Sequence, residues 1–150
     1  DVDIDTLVAV AIGDMPAEAR SRIKVDRQTR TRTVSMDLGL MRLALRNLLS
    51  NALKYGRPAA PVTVRLIDSD NPLALLIDVI DSGAGVPDAV LGRLFERGAR
   101  GHGADAPPGH GLGLFIVRRV MELHGGQVEL AHNGPGGVTM RLVLDQSPGE

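Results

Sequence analysis

The stretch Leu43-Ala44-Leu45-Arg46-Asn47-Leu48-Leu49-Ser50-Asn51-Ala52-Leu53-Lys54-Tyr55 decides how this chain is read. Asp37 is a good cap for a helix running from Leu38 to about Tyr55, and Gly56 with Pro58 ends it. At about 100° per residue, Met41, Leu45, Leu48, Leu49 and Ala52 form an apolar arc, while Arg42, Arg46 and Ser50 fall on the far side. Asn47, Asn51, Lys54 and Tyr55 share a third arc, a polar stripe at the border of the buried face. Two carboxamides one turn apart offer neutral oxygens to a hard cation such as Mg²⁺, which commonly binds beside substrate phosphates. A Lys one turn further on can meet phosphate charge. The same four residues also suit the plain interfacial stripe of an amphipathic helix.

Working outward, Asp3-Ile4-Asp5-Thr6 opens a short helix through Ala11, capped by Asp or Thr. Ile23–Val25 and Arg32–Val34 read as short strands around a charged turn. Val62–Ile67 and Leu73–Ile80 read as two strands joined by a polar turn over Asp68-Ser69-Asp70-Asn71-Pro72. An irregular stretch follows from Asp81 to about Gly109, with a brief helical piece around Val90–Phe95. Leu112–His124 is the next helix, stopped by Gly125-Gly126. Two strands near Gln127–Ala131 and Val138–Leu144 close the chain. Mixed helices and antiparallel hairpins predict an α/β (α+β) two-layer sandwich. Its mixed, mostly antiparallel sheet of about five strands is covered on one face by three helices. Residues 1–150 are expected to form a single domain, since this length can bury a substantial core. A loop of roughly 25 residues is long for such a domain and marks a lid or a disordered segment.

Composition narrows the classes. With 17 basic and 18 acidic side chains the net charge is −1, which gives no footprint for nucleic acid. The absence of Cys excludes a disulfide framework and a cysteine zinc site, and His102, His110, His124 and His132 lack zinc-motif spacing. Two Phe, one Tyr and no Trp leave the core to aliphatic residues, so Phe95 and Tyr55 draw notice. No apolar run reaches membrane-spanning length. The sequence starts without Met and in mid-pattern, and it is expected to be a piece of a longer protein.

Two further motifs carry chemistry. Asp81-Ser82-Gly83-Ala84-Gly85-Val86 follows directly on the apolar run LALLIDVI. An Asp at the end of a buried strand can accept a hydrogen bond from an exocyclic amine such as that of adenine, and glycines let backbone approach a ligand. Asp-Ser-Gly is equally good chemistry for a simple strand exit. Gly109-His110-Gly111-Leu112-Gly113-Leu114 opens a helix, and glycine-rich entries to helix N-termini bind anions. A long loop rather than a strand precedes it, so it is not a dinucleotide fingerprint, and no Walker A motif is present.

In this order, the Asn-rich helix, the strand-end DxGxG and the GxGLGL helix resemble the asparagine box and two glycine boxes of the GHKL ATP-binding superfamily. Leu94-Phe95-Glu96-Arg97 resembles the phenylalanine box of its sensor histidine kinases, and LFIVRRVMELHGGQVEL resembles their usual continuation. The resemblance covers nearly the whole chain. It implies the Bergerat ATP-binding fold, with an ATP lid over roughly residues 87–109. It implies ATP and Mg²⁺ as cofactors, with Asn51 as the principal metal ligand and Asn47 as its companion near the phosphates. Asn47, Asn51 and Lys54 would form the catalytic set, Lys54 contacting phosphate. Tyr55 would pack near adenine or ribose, and Asp81 would read adenine in a pocket shaped by Gly83, Gly85 and Val86. Gly109, His110, Gly111, Leu112 and Gly113 would face the phosphates, and Thr139 would support the adenine site. Phe95, Arg97 and Arg100 belong to the lid side of the nucleotide. Where the family often has a second Phe, this chain has Gly98.

The resemblance further implies γ-phosphoryl transfer from Mg-ATP to a histidine on a separate upstream dimerisation domain of a full-length homodimer. A cognate response regulator would be the next partner. The fragment alone would be a monomer, and the parent a membrane-anchored protein with this domain in the cytoplasm. Self-contained ATPases of the superfamily typically carry a Glu one turn before the metal-binding Asn. Asn47 occupies that position and cannot take a proton from water. An anti-sigma serine kinase and a non-catalytic nucleotide-binding module are the remaining alternatives. The lid and the phenylalanine-box segment count against the first, and the populated boxes count against the second.

Overall fold

The computed structural model describes residues 1–71, 73–91, 94–96 and 110–146. A two-residue strand β1 (Val2–Asp3) leads into α1 (Ile4–Gly13), whose start is capped where Asp3 accepts the Thr6 N–H at 3.1 Å. A four-residue helix α2 (Ala17–Arg20) follows Pro16; the sequence pattern gives no sign of it because it buries no side chain. Then come β2 (Ile23–Arg27) and β3 (Thr33–Val34). The long helix α3 (Leu38–Tyr55) begins where Asp37 accepts the Leu40 N–H at 2.9 Å. β4 (Val62–Asp70) and β5 (Leu73–Asp81) form a hairpin, followed by α4 (Asp88–Leu91) and α5 (His110–Leu123). β6 (Gln127–Gly134) and β7 (Gly137–Asp145) complete the described chain.

Among the described residues, five strands form one mixed sheet in the order β2-β4-β5-β7-β6. β2 runs parallel to β4, and the other pairs are antiparallel. The inner face of the sheet supplies Val64, Leu66, Leu75, Ile77, Val79, Met140 and Leu142 to one cluster with buried residues of α1, α3 and α5. Truncating a fully buried member such as Leu45 to Ala removes apolar contact and leaves a cavity, a loss of about 2–5 kcal/mol. The expected fold class is therefore the observed one.

Two local expectations are sharpened. Ile23–Val25 and Arg32–Val34 hold strands, as expected, but in different sheets: β2 joins the main sheet beside β4, whereas β3 (Thr33–Val34) pairs with β1. The intervening loop is tied elsewhere. Thr29 Oγ1 donates to Asp68 at 2.6 Å, the Gln28 N–H donates to the Leu66 carbonyl at 2.7 Å, and Arg27 donates to the Thr29 and Thr31 carbonyls. The polar residues Asp68, Ser69 and Asp70 are strand rather than turn, because their backbone pairs with Leu75, Ala74 and Leu73. Smaller shifts occur at α4, which starts at Asp88 rather than Val90, and at α5, which starts at His110.

Candidate nucleotide site

The C-terminal half of α3 is where the three motifs meet. Asn47 Nδ2 donates to the Leu43 carbonyl one turn back at 2.8 Å, which fixes the orientation of the carboxamide. Its Oδ1 faces the first turns of α5: a Cβ added to the buried Gly113 would stand 3.4 Å from it. Asn51 follows one turn on, half-buried, and Lys54 and Tyr55 are exposed near the end of the helix. The first residue of the polar stripe read from the sequence thus lies beside the start of α5.

The end of α3 rests on the exit of β5. Gly56 ends the helix with its N–H on the Ala52 carbonyl at 2.9 Å, and a Cβ there would lie 2.7 Å from that carbonyl oxygen and 3.3 Å from Asp81 Cβ. A Cβ on Gly83 would lie 2.3 Å from the Tyr55 carbonyl oxygen, a separation no side chain tolerates. Asp81 Oδ1 accepts the Gly83 N–H at 2.7 Å, the strand-exit turn that Asp-Ser-Gly favours. The strand-exit reading of Asp81 is thus present in the structure. Its carboxylate makes the turn, and burial pushes it above the ordinary carboxylate range, partly offset by the backbone N–H groups of Gly83 and Val138.

Other expected residues fall out as follows. Val86 and Phe95 are half-buried and pack against the main core cluster. His110, Gly111 and Leu112 lie in the first turn of α5, where helix N–H groups have no partner within the helix. Arg97, Arg100 and Gly109, with most of the 87–109 lid, lie outside the described residues. Thr139 is not brought to the site. Val138 is the residue opposite Asp81 on β7, and strand alternation turns Thr139 to the other face, in register with Ile80. One residue that the sequence reading missed is Asn133, whose carboxamide accepts the Val86 N–H at 2.7 Å and donates to the Val86 carbonyl at 3.1 Å. In the sequence, Asn133-Gly134 reads as turn chemistry only, and nothing local says which loop it reaches.

Comparison with known proteins bears on the family and the fold. The family model described as "Histidine kinase-, DNA gyrase B-, and HSP90-like ATPase" matches residues 36–148. The signal transduction histidine-protein kinase/phosphatase MprB of Mycobacterium sp. (strain KMS) is 46% identical over 118 residues, 79% of this chain and 23% of that protein. A solved mycobacterial sensor histidine kinase MprB superposes with a TM-score of 0.78 at 31% identity, covering 99% of both chains. The ATP binding domain of PrrB from Mycobacterium tuberculosis gives a TM-score of 0.69 at 28% identity, covering 99% of this chain and 96% of that one. The chain spans less than a quarter of the length of the curated relatives it matches. With a matching family model over most of its length, the three boxes in sequence order and those boxes gathered at one end of α3, the chain belongs to the histidine kinase-, DNA gyrase B- and HSP90-like ATPase family.

Proposed function

We propose that this chain holds Mg-ATP between the end of α3, the exit of β5 and the start of α5, and presents its γ-phosphoryl group to a histidine on another domain of a longer protein. The observation that carries this reading is the convergence of Asn47 on Gly113 and of Gly56 and Gly83 on the Asp81 turn. In it, Asp81 accepts the adenine amine, with Gly83, Gly85 and Val86 forming the adjoining wall. The first turn of α5 offers backbone N–H groups to the phosphates. Lys54, exposed at the same end of α3, neutralises phosphate charge, and Tyr55 borders the base or sugar. Phe95, with Arg97, Arg100 and Gly109 beyond the described residues, belongs to the lid.

The donor set fits a hard cation. Because Asn47 spends its N–H on Leu43, its oxygen is the atom left facing α5, and a carboxamide oxygen is a suitable neutral ligand. Asn51 with Asn47 would hold Mg²⁺, which would supply charge neutralisation for the phosphates. The residues of this chain orient and desolvate the transferring group more than they take part covalently. Asn47 cannot act as a base toward water, which favours transfer to a protein acceptor over hydrolysis. The acceptor histidine would sit on an upstream dimerisation domain, and a response regulator would receive the phosphoryl group next. Among the described residues no helix is long and apolar enough to cross a membrane; membrane anchoring would belong to the rest of the protein.

A thermal-shift titration tests the core of the proposal. Mg-ATP at a hundred times its dissociation constant should stabilise the chain by about 2.7 kcal/mol, whereas GTP should do little. Asn51→Ala should abolish that shift without lowering the ligand-free melting temperature. Equal stabilisation by ATP and GTP would defeat the role of Asp81, and none by either would defeat the nucleotide site.

A further inference from the structure

The loop that leaves β5 at Asp81 is caught two strands away. Asn133 meets both backbone polar groups of Val86, accepting the N–H at 2.7 Å and donating to the carbonyl at 3.1 Å. A carboxamide that does this stands in for a strand neighbour, so Val86 is paired as it would be inside a sheet. Register places the clamp in line with the site: Asn133 lies opposite Val138, and Val138 lies opposite Asp81. The loop therefore starts and ends on one row of the sheet, crossing the end of β7 between.

Two glycines make the crossing possible. A Cβ on Gly137 would lie 2.1 Å from the Asp81 carbonyl oxygen and 3.1 Å from Ser82 Cα. Gly85 has φ +95°, and a Cβ there would lie 2.8 Å from Asn133 Oδ1 and 2.9 Å from the Gly134 carbonyl oxygen. The hairpin tip and the loop are shaped for each other at both ends.

We propose that Asn133 is a positioning residue for the nucleotide: by holding Val86 it fixes the far end of the loop whose near end carries Asp81, and so sets the width of the pocket for the base. This rests on the ATP-binding reading above. Among the described residues the hydrogen bonds of the carboxamide are those to Val86, so its effect falls on the base rather than on the phosphates.

The test uses this chain and four measurements: dissociation constants for Mg-ATP and Mg-GTP well below the melting point, the ligand-free melting temperature, and hydrogen exchange at the Val86 amide. Asn133→Ala should weaken Mg-ATP about tenfold, the scale of one or two hydrogen bonds. It should narrow the preference for ATP over GTP and speed exchange at Val86. Asn133→Asp keeps an acceptor for the N–H but sets a carboxylate against the Val86 carbonyl, and should weaken ATP at least as much. Unchanged affinity with a lowered melting temperature would reduce Asn133 to a structural tie and overturn the proposal. Unchanged affinity with unchanged exchange would overturn it too. If wild type binds no Mg-ATP, the parent reading falls and this one with it; if wild type binds and both variants bind equally, this one falls alone. The two variants are independent, so one that fails to fold leaves the other to decide.

Discussion

Asp78 and Asp81 lie three residues apart on β5 and are solved in opposite ways. Asp78, in the middle of the central strand, is 1% exposed and receives two hydrogen bonds from Arg141, at 2.8 and 2.9 Å, on the face of the sheet away from the helices. Glu129 adds a longer contact to the same guanidinium at 3.9 Å. Asp81, at the strand exit on the helix side, is only half-buried, and among the described residues no cation pairs with it. Backbone N–H groups hold it instead, and burial raises its carboxyl. A carboxylate with its own arginine is committed to the fold. One supported by backbone alone keeps acceptor capacity for a ligand.

The largest effect should come from breaking the first pair. Asp78→Ala leaves Arg141 facing a buried gap and should lower unfolding free energy by about 3 kcal/mol in denaturant titration. ATP affinity measured on the remaining folded protein should not change. Combining Asp78→Leu with Arg141→Leu should recover much of the loss, since the charges leave together. A single substitution at Asp78 or Arg141 that weakened ATP without destabilising the fold would collapse the contrast between the two aspartates.

Asp81→Asn should behave in reverse, with Mg-ATP binding weakened about a hundredfold or more and stability nearly kept. The sign of its pH dependence follows from burial. A raised folded-state value means the folded chain binds the proton more readily than the unfolded chain does. Stability from this group is thus present below the unfolded value of about 4 and is lost as pH rises through the folded value. Asp81→Asn should remove that slope from unfolding measured across acidic pH, and leave the chain equal or slightly more stable at neutral pH. In the proposed role the acceptor is ionised, so wild-type ATP affinity should fall as pH drops through the same range. A slope that survived the substitution would assign it to another group. The smallest effect belongs to Thr139→Val, which should change ATP affinity less than about twofold, because Thr139 faces away from Asp81. A tenfold loss there would show that the hairpin presents the other face to the nucleotide.

Much of this was legible in the residues. The apolar arc of α3 and its Asp37 cap follow from helical period and local capping chemistry, and both appear in the structure. The apolar run Leu73–Ile80 read as a strand, and residues Ala74–Val79 of it are buried in the middle of the sheet. What could not be read were choices between partners of equal local quality. Nothing near Ile23 or Val34 says that one pairs with β4 and the other with β1. Those choices depend on long-range anchors such as Thr29 on Asp68. Thr139 and Val138 are adjacent, and only the register of β7 against β5 decides which one stands across from Asp81.

By itself, then, the sequence determined the long helices and the main strands, and which residue types are available for phosphate, cation and base. Those properties depend on spacing along one segment and on side-chain chemistry. The tertiary structure decided which of those groups share a space: Asn47 against Gly113, Tyr55 against Gly83, and Asn133 on Val86. Each joins positions far apart in the chain, and the approach depends on close packing where a single added carbon would not fit or on a carboxamide standing in for a strand. Such contacts are set by the path of the whole backbone, which no local pattern encodes.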